Sequence, residues 1–176
     1  MIPDGLRDRL LKIKLMMVDI DGVLTDGRII LGNYGDELKF FDVQDGLGLV
    51  LLRQAGIQTL IVTAKKSKVN ERRAKDLKVV KLYQGVDDKL KLYEKVLRKM
   101  KMKPEEVCFV GDDLIDIPVM KRVGVAVAVQ NAVEETKDAA HYVTQRQGGR
   151  GAVREIADMI LRFQNKWESV TEAYFR

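Results

Sequence analysis

The sequence feature that decides the fold is an apolar run that ends abruptly in acidic residues, Leu15-Met16-Met17-Val18-Asp19-Ile20-Asp21-Gly22. Four consecutive apolar residues without a charge predict a strand that is buried on both faces. Strands of this kind are typical of parallel sheets that helices cover on both sides. We therefore expect an α/β fold whose first strand is formed by residues 15–18.

Further apolar runs extend this pattern along the chain. The predicted strands are residues 59–62, 79–83, 107–110 and 125–129, with a short edge strand at 142–143. Between them, apolar residues recur at helical spacing, most clearly in 88–100 and in 152–167. The alternation predicts a Rossmann-like, doubly wound parallel sheet in a single domain over 1–176, which ends in a loop, helix and tail at 145–176.

One segment interrupts the alternation of strands and helices. Residues 28–31 and 37–41 flank Gly32-Asn33-Tyr34-Gly35, a composition typical of a turn, so 28–41 is predicted to form a projecting β-hairpin. Three consecutive apolar residues, Ile29-Ile30-Leu31, cannot all point to one face of a strand. Such a hairpin either folds onto its own domain or meets another subunit, and we expect the second.

Composition and charge argue against several classes of protein. No apolar run approaches the roughly 20 residues that span a bilayer, so no membrane association is expected. The net charge of +5 comes from dispersed lysines. We expect no nucleic-acid binding, because an anionic small-molecule substrate or simple solubility explains the charge equally well. The single cysteine, Cys108, cannot form an internal disulfide, which favours a cytoplasmic location.

The candidate site residues follow the predicted strands, because open α/β sheets bind ligands at the carboxyl ends of their strands. In chain order they are Asp19, Asp21, Thr63, Lys89, Asp112, Asp113 and Asp116. Carboxylates gathered at one sheet edge repel each other unless a cation joins them. Mg²⁺ suits a site with few carboxylates. We expect Asp19, Asp112 and a backbone carbonyl near Asp21 to hold it.

These residue types fit phosphoryl transfer, which requires a positioned nucleophile and stabilisation of charge on the phosphoryl oxygens. A carboxylate can be that nucleophile. Asp19 and Asp21 would share one face of an extended segment, so that one attacks while the other manages the proton of the leaving group. Thr63 would add a hydroxyl donor and Lys89 a positive charge. Alone, each motif is common in turns, helix caps and solvated surfaces that have no catalytic role. The order in which they occur together along the chain favours a catalytic site.

In this order, and over most of the chain, the motifs resemble those of the haloacid dehalogenase superfamily. The motifs are Asp19–Gly27, Thr63, Lys89 and Gly111–Asp116. The resemblance implies that Asp19 is the nucleophile and that Asp21 is the general acid and then the base. Thr63 and Lys89 would bind the phosphoryl group, and Asp112 would bind Mg²⁺. Asp113 and Asp116 resemble residues that cap a helix or that lie around the metal ligands without binding the ion themselves.

The spacing of the motifs leaves no room for the cap domain that many members of this superfamily carry. Asp21 to Thr63 holds only the hairpin and one helix, and Lys89 to Asp112 holds one helix and one strand. We therefore expect an open site at the sheet edge. An open site excludes water poorly, and a second subunit is the economical way to close it.

A closer resemblance covers the hairpin, residues 42–46, 111–120 and 148–155. These segments are similar to the 3-deoxy-D-manno-octulosonate 8-phosphate phosphatases, a family without a cap. The resemblance implies hydrolysis of that sugar acid phosphate in lipopolysaccharide core precursor synthesis. It also implies a homotetramer that packs its hairpins together.

The same resemblance places further residues around the substrate. Besides Asp21 and Lys89, they are Gln44, Asp45, Gly46, Lys65 and Arg73. Arg150, on a glycine-rich segment, is another candidate. Basic side chains here would bind the carboxylate of the substrate. The family usually has Gly-Arg after the motif threonine, whereas this chain has Ala64-Lys65, and Lys lacks bidentate recognition of carboxylates. Gln44 also stands where a basic residue is frequent, so a nine-carbon sugar acid phosphate is an alternative substrate.

Three other functions share parts of the pattern. A signalling receiver domain has its adjacent acidic pair after the first strand, whereas here the spaced pair comes first and Asp112-Asp113 comes late. A catalytically silent accessory domain of a sugar nucleotidyltransferase would not need four intact site residues, which here are Asp19, Asp21, Lys89 and Asp112. A phosphomutase would need a lid to retain its phosphorylated intermediate.

Overall fold

A six-stranded parallel sheet built around the first apolar run organises the protein, as the computed structural model of residues 5–176 shows. The first four residues of the predicted domain lie outside the described residues. The strands are β1 Leu15–Val18, β2 Ile30–Leu31, β3 Glu37–Leu38, β4 Gln58–Thr63, β5 Lys81–Gln84, β6 Val107–Gly111, β7 Val125–Ala128 and β8 Tyr142–Val143. The helices are α1 Leu6–Leu10, α2 Val43–Gln54, α3 Lys68–Asp76, α4 Lys89–Met100, α5 Ile117–Met120, α6 Glu134–Asp138, α7 Ala152–Phe163 and α8 Trp167–Thr171.

The order of strands in the sheet is β5-β4-β1-β6-β7-β8, and every neighbouring pair is parallel. All four residues of β1 are buried, since β4 and β6 cover its edges and helices cover its faces. The chain winds outward from β1 to β5, then returns to β6 and winds the other way. The predicted doubly wound fold is confirmed, and its switch point lies between β1 and β6, where such sheets bind ligands.

Helix caps place the ends of two helices at this edge of the sheet. The Asp42 side chain accepts hydrogen bonds from the backbone N–H groups of Gln44 and Asp45, which fixes the start of α2. The Asp88 side chain accepts one from Lys91 N–H at the start of α4. Capping at Asp88 sets Lys89 in the first turn of α4, beside the carboxyl ends of β1 and β6.

Some element boundaries differ from the sequence-based expectation. Strand β5 covers Lys81–Gln84, not 79–83, and follows Lys78, whose φ of 52° ends the preceding turn. The helix expected over 152–167 divides into α7 and α8 because Asn165 adopts a left-handed conformation with φ 54°. The five-residue helices α1 and α6 were not predicted, since so short a stretch carries little periodicity.

The hairpin forms as predicted, with much shorter strands. Ile30 pairs with Leu38 and Leu31 with Glu37 in antiparallel register. The N–H of Gly32 donates to the carbonyl oxygen of Asp36 at 2.8 Å and closes the turn. Leu31 is 72% exposed and Phe40 is 66% exposed, so the hairpin does not bury its apolar side chains against its own domain.

Among residues 5–176, none of the helices combines the length and the apolar character that a membrane crossing requires.

Candidate active site

Parallel pairing of β1 and β6 brings the two main acidic motifs together. Val18 is in register with Val110, and the N–H of Asp19 donates to the carbonyl oxygen of Val110 at 3.2 Å. The residues that follow these strands therefore lie side by side at the switch point. One carboxylate oxygen each of Asp19, Asp112 and Asp116 lies within 4.8 Å of the others.

A buried lysine balances part of this negative charge. The Nζ of Lys89 lies 3.1 Å from Oδ2 of Asp19 and 2.6 Å from Oδ1 of Asp116. Burial of a lysine is costly unless carboxylates surround the ammonium group. Burial alone would lower the pKa of Lys89, but Asp19 and Asp116 outweigh it and raise this pKa. Lys89 therefore stays charged at the centre of the site.

Asp116 belongs to the cluster, whereas its sequence position predicts only a role in capping a helix or outside the set of ligands. Its Oδ1 accepts from Lys89, and its Oδ2 accepts from the backbone N–H of Asp112 at 3.0 Å. Gly111 allows this approach, because a Cβ there would lie 2.6 Å from the Cβ of Asp116. Asp116 thus fixes both the lysine and the loop that carries Asp112.

Two glycines lock the loop after β1 against the other parts of the site. Gly22 has φ 98°, and a Cβ on it would collide with Oδ2 of Asp112. A Cβ on Gly148 would collide with the carbonyl oxygen of Gly22. The glycine-rich segment before α7 therefore packs directly on the loop that carries Asp19 and Asp21.

The acidic cluster fits a hard divalent cation. Burial raises the pKa of Asp19 to about 7, against the opposing effect of Lys89. Burial raises the pKa of Asp112 to about 8, and the nearby Asp19 and Asp116 carboxylates contribute to this shift. The Oδ1 of Asp112 is buried and has no hydrogen-bond partner. A buried carboxylate oxygen without a hydrogen-bond partner suits a metal ion such as Mg²⁺, which binds through few carboxylates.

Thr63 and Asp21 complete the set of predicted catalytic residues. Thr63 ends β4, is buried, and its hydroxyl accepts from the N–H of Lys65 at 3.3 Å. Asp21 does not join the acidic cluster; its Oδ1 accepts a hydrogen bond from Nζ of Lys39. Sequence reasoning missed Lys39. The available signal was its spacing from Glu37, because residues two apart in an extended segment lie on the same face.

Comparison with known proteins agrees with this geometry. Residues 54–156 match the family model of haloacid dehalogenase-like hydrolases. A 3-deoxy-D-manno-octulosonate 8-phosphate phosphatase of Yersinia pestis is 46% identical over 97% of this chain and 91% of its own length. The chain belongs to the haloacid dehalogenase-like hydrolases. The expectation drawn from the motifs is thereby confirmed.

Solved structures of such phosphatases share the fold of this hydrolase. The crystal structure of the Yersinia pestis phosphatase superposes with a TM-score of 0.92 at 47% identity, covering 94% of this chain and 89% of that one. The Moraxella catarrhalis phosphatase, in complex with magnesium ion, phosphate ion and KDO, superposes with a TM-score of 0.94 at 38% identity. Here the superposition covers 98% of this chain and 99% of that one.

Asp45, predicted to line the substrate pocket, is buried and caps a helix in this hydrolase. Its two carboxylate oxygens accept from the backbone N–H groups of Gly151, at 3.2 Å, and Arg154, at 2.8 Å. Burial raises the pKa of Asp45 to about 6. Sequence spacing gave no sign that an acid near the start of α2 would cap α7, more than 100 residues later.

Gly46 and Arg73, also predicted at the substrate, pack against each other in the hydrolase. A Cβ on Gly46 would lie 2.6 Å from Nη2 of Arg73. The guanidinium of Arg73 donates to the carbonyl oxygen of Asp42 at 3.2 Å and lies 5.3 Å from the ring centroid of Phe41. Arg73 therefore connects α3 to the start of α2.

The remaining predicted substrate residues of the hydrolase, Gln44, Lys65 and Arg150, have different surroundings. Gln44 accepts from the guanidinium of Arg146 at 2.7 Å and lines a groove between α2 and α7. Lys65 is partly exposed, with its Nζ 3.9 Å from Oε1 of Glu37. Arg150 lines a cleft with Asp26 and Phe40. Of the three, only Lys65 contacts the charge network that reaches Asp21.

Proposed function

We propose that this enzyme is a Mg²⁺-dependent phosphomonoesterase that hydrolyses 3-deoxy-D-manno-octulosonate 8-phosphate to the free sugar acid and phosphate. The observation that carries the proposal is the buried cluster of Asp19, Lys89, Asp116 and Asp112 at the switch point of the sheet. Relatives named for this activity, one of them bound to magnesium, phosphate and KDO, support the choice of substrate. The reaction belongs to the synthesis of the lipopolysaccharide core precursor.

In the first step, the Asp19 carboxylate attacks phosphorus and the bond between phosphorus and the ester oxygen breaks. Asp21, in its protonated form, gives its proton to the departing alkoxide, which leaves as the free hydroxyl of the sugar. Asp19 then carries an acyl phosphate. The Lys89 ammonium and the Thr63 hydroxyl hold phosphoryl oxygens, so charge that develops in the transition state meets preorganised donors.

In the second step, the Asp21 carboxylate takes a proton from a water molecule that attacks the aspartyl-phosphate. The bond between phosphorus and Asp19 breaks, which releases inorganic phosphate and regenerates both carboxyl groups in their starting forms. Asp21 thus acts as acid in one half-reaction and as base in the other.

Asp19 and Asp112 are the side chains that we assign to Mg²⁺, together with a backbone carbonyl near Asp21. Asp112 keeps a buried oxygen without a partner, whereas both oxygens of Asp116 are already occupied by Lys89 and a backbone N–H. When bound, the ion supplies positive charge that neutralises the carboxylates and the phosphoryl oxygens. We assign Asp116 to holding Lys89 in place.

Lys65 and Arg150 are our candidates for the carboxylate of the sugar acid. Both are basic and reach solvent: Lys65 is partly exposed and pairs with Glu37 at the long distance of 3.9 Å, and Arg150 is exposed in the cleft that Asp26 also lines. Arg73, also basic, already donates to the carbonyl oxygen of Asp42 and is less suited to this role. Lysine at position 65 gives weaker geometric selection than arginine, which is why a nine-carbon sugar acid phosphate belongs in any substrate screen.

A phosphate-release assay tests the proposed function. We expect turnover of the eight-carbon sugar acid phosphate with Mg²⁺, at a kcat/KM above those of the nine-carbon analogue and of simple hexose phosphates. Chelation of Mg²⁺ should abolish it, as should Asp19→Asn. The matched control is Asp8→Asn, which removes an exposed carboxylate on α1. Equal turnover of all the esters would contradict the substrate, and activity in Asp19→Asn would contradict the mechanism.

We also propose that the enzyme is a homotetramer assembled through its hairpins, and that it acts in the cytoplasm. Two-residue strands with exposed apolar side chains need a covering surface. Leu31→Lys combined with Leu38→Lys should reduce the mass measured by light scattering, whereas Leu11→Lys, on an exposed apolar residue outside the hairpin, should not. A fully active wild-type monomer would refute the assembly. The lone cysteine, free and buried, is consistent with a reducing compartment.

A further inference from the structure

A second buried lysine contacts the proposed proton donor. The side chain of Lys39 is 0% exposed, and its Nζ donates to Oδ1 of Asp21, whose side chain is 21% exposed. The same Nζ lies 3.5 Å from Oε1 of Glu37. A lysine of this kind requires carboxylate partners to offset the loss of hydration. Lys39 is therefore tied to the loop after β1, although it belongs to the hairpin.

The two lysines of the site divide its carboxylates between them. Lys89 contacts Asp19 and Asp116, and Lys39 contacts Asp21. Asp21 is thereby held outside the acidic cluster. Glu37, in turn, lies between the ammonium groups of Lys39 and Lys65.

The pleat of the hairpin explains how one short segment reaches both the site and the surface. Glu37 and Lys39 are two residues apart, and their charged groups lie 3.5 Å apart on one side of the segment, where Lys39 contacts Asp21. Leu38 and Phe40 alternate with them and are 56% and 66% exposed. One side of the segment is thus apolar and exposed, and the other carries Lys39, which contacts Asp21.

We propose that Lys39 is a positioning residue that orients the Asp21 carboxyl group for proton transfer. The inference rests on the proposed function of Asp21 as general acid and base. Lys39 acts by fixing one oxygen of Asp21, which leaves the other free to face the ester oxygen. Misplacement of a catalytic group by about 1 Å can cost about 100-fold in rate.

The test compares esters that differ in their need for a proton. An alkyl phosphate must leave with a proton, whereas 2,4-dinitrophenyl phosphate releases a stable phenolate without one. In Lys39→Met, kcat for the alkyl ester should fall at least about tenfold, with KM within about threefold of wild type. The first-turnover burst of dinitrophenolate, followed by stopped flow, should stay within about threefold. Because that burst requires an intact site, it also shows that the variant is folded.

Three further variants separate positioning from other roles. Lys39→Arg keeps the charge and should retain more alkyl esterase activity than Lys39→Met. In an Asp21→Asn background, Lys39→Met should change kcat by less than about twofold, since the group it positions is gone. Lys14→Met is the control: this exposed lysine pairs with Glu106 at the start of β1, and both rates should be unchanged.

Three results would overturn the inference. A rise in KM at constant kcat would make Lys39 a substrate-binding residue. Equal loss on both esters would make it a general structural residue, and unchanged rates would give it no role. Failure of the wild-type enzyme on the sugar acid phosphate would instead refute the proposed substrate, because the comparison works with any alkyl phosphate that the wild type hydrolyses.

Discussion

Binding of Mg²⁺ should expel protons from the acidic cluster, because two of its carboxyl groups are hard to ionise in the metal-free protein. The pKa of Asp19 is raised to about 7 and that of Asp112 to about 8, in both cases chiefly by burial. At pH 7, a group with the first pKa is about half protonated and one with the second about nine-tenths protonated. The neighbouring groups titrate as a pair, so we expect about one to one and a half protons released per ion.

The sign of the pH dependence follows from the same values. Below about pH 6 both carboxyl groups hold their protons and compete with the metal, so the affinity for Mg²⁺ should be low. The affinity should rise by about tenfold or more for each pH unit near pH 7 and level off above about pH 9. The folded, metal-free protein should lose stability as the pH rises from about 4 through these raised pKa values, because the unfolded chain ionises at lower pH.

Isothermal titration calorimetry at pH 7 measures the effect directly. Repeating the titration in two buffers with different ionisation enthalpies gives the number of protons released per Mg²⁺. Asp112→Asn should weaken binding and reduce the proton count, whereas Asp8→Asn, on exposed α1, should change neither. No proton release, or an affinity that is constant between pH 6 and 8, would refute the assignment of this cluster as the metal site.

Two substitutions test how the site is held together. Gly22→Ala should weaken Mg²⁺ binding by at least about tenfold, because the added Cβ collides with Asp112 and φ is 98°. The control is Gly35→Ala, which also has a positive φ, 79°, but no neighbour within 4 Å. Equal Mg²⁺ affinities of the two variants in calorimetry would contradict the packing of Gly22 on Asp112. Asp45→Ala should lower the free energy of unfolding by about 1–2 kcal/mol by removing the cap of α7, with KM unchanged in the phosphate-release assay. A raised KM with unaltered thermal unfolding would instead favour the predicted role of Asp45 at the substrate.

The parts of the site that depend on strand order could be predicted from the sequence. An uninterrupted apolar run marks β1, and another marks β6, so the residues after each run had to meet at the edge of a parallel sheet. This reasoning predicts the positions of Asp19 and Asp112, and the start of the helix after β5 predicts that of Lys89. The hairpin was predicted as well, because its turn composition separates two apolar segments.

The contacts that the sequence did not reveal join segments that are distant along the chain. Lys39 reaches Asp21 from the hairpin, and Asp45 caps a helix that begins more than 100 residues later. A lysine or an aspartate has the same appearance in a sequence whether it is solvated or buried against a partner. The place of Asp116 in the cluster could not be predicted either, because it depends on one short turn after β6 and on the absence of a side chain at Gly111.

The central claim is that Asp19 forms a covalent bond to phosphorus, and trapping of that intermediate tests it most directly. The enzyme is mixed with substrate and Mg²⁺, quenched in acid within the first turnover, digested, and analysed by mass spectrometry. We predict one added phosphoryl group, on Asp19, that is lost at alkaline pH and absent from Asp19→Asn. A phosphoryl group on another residue, or full turnover without any covalent intermediate, would contradict the account.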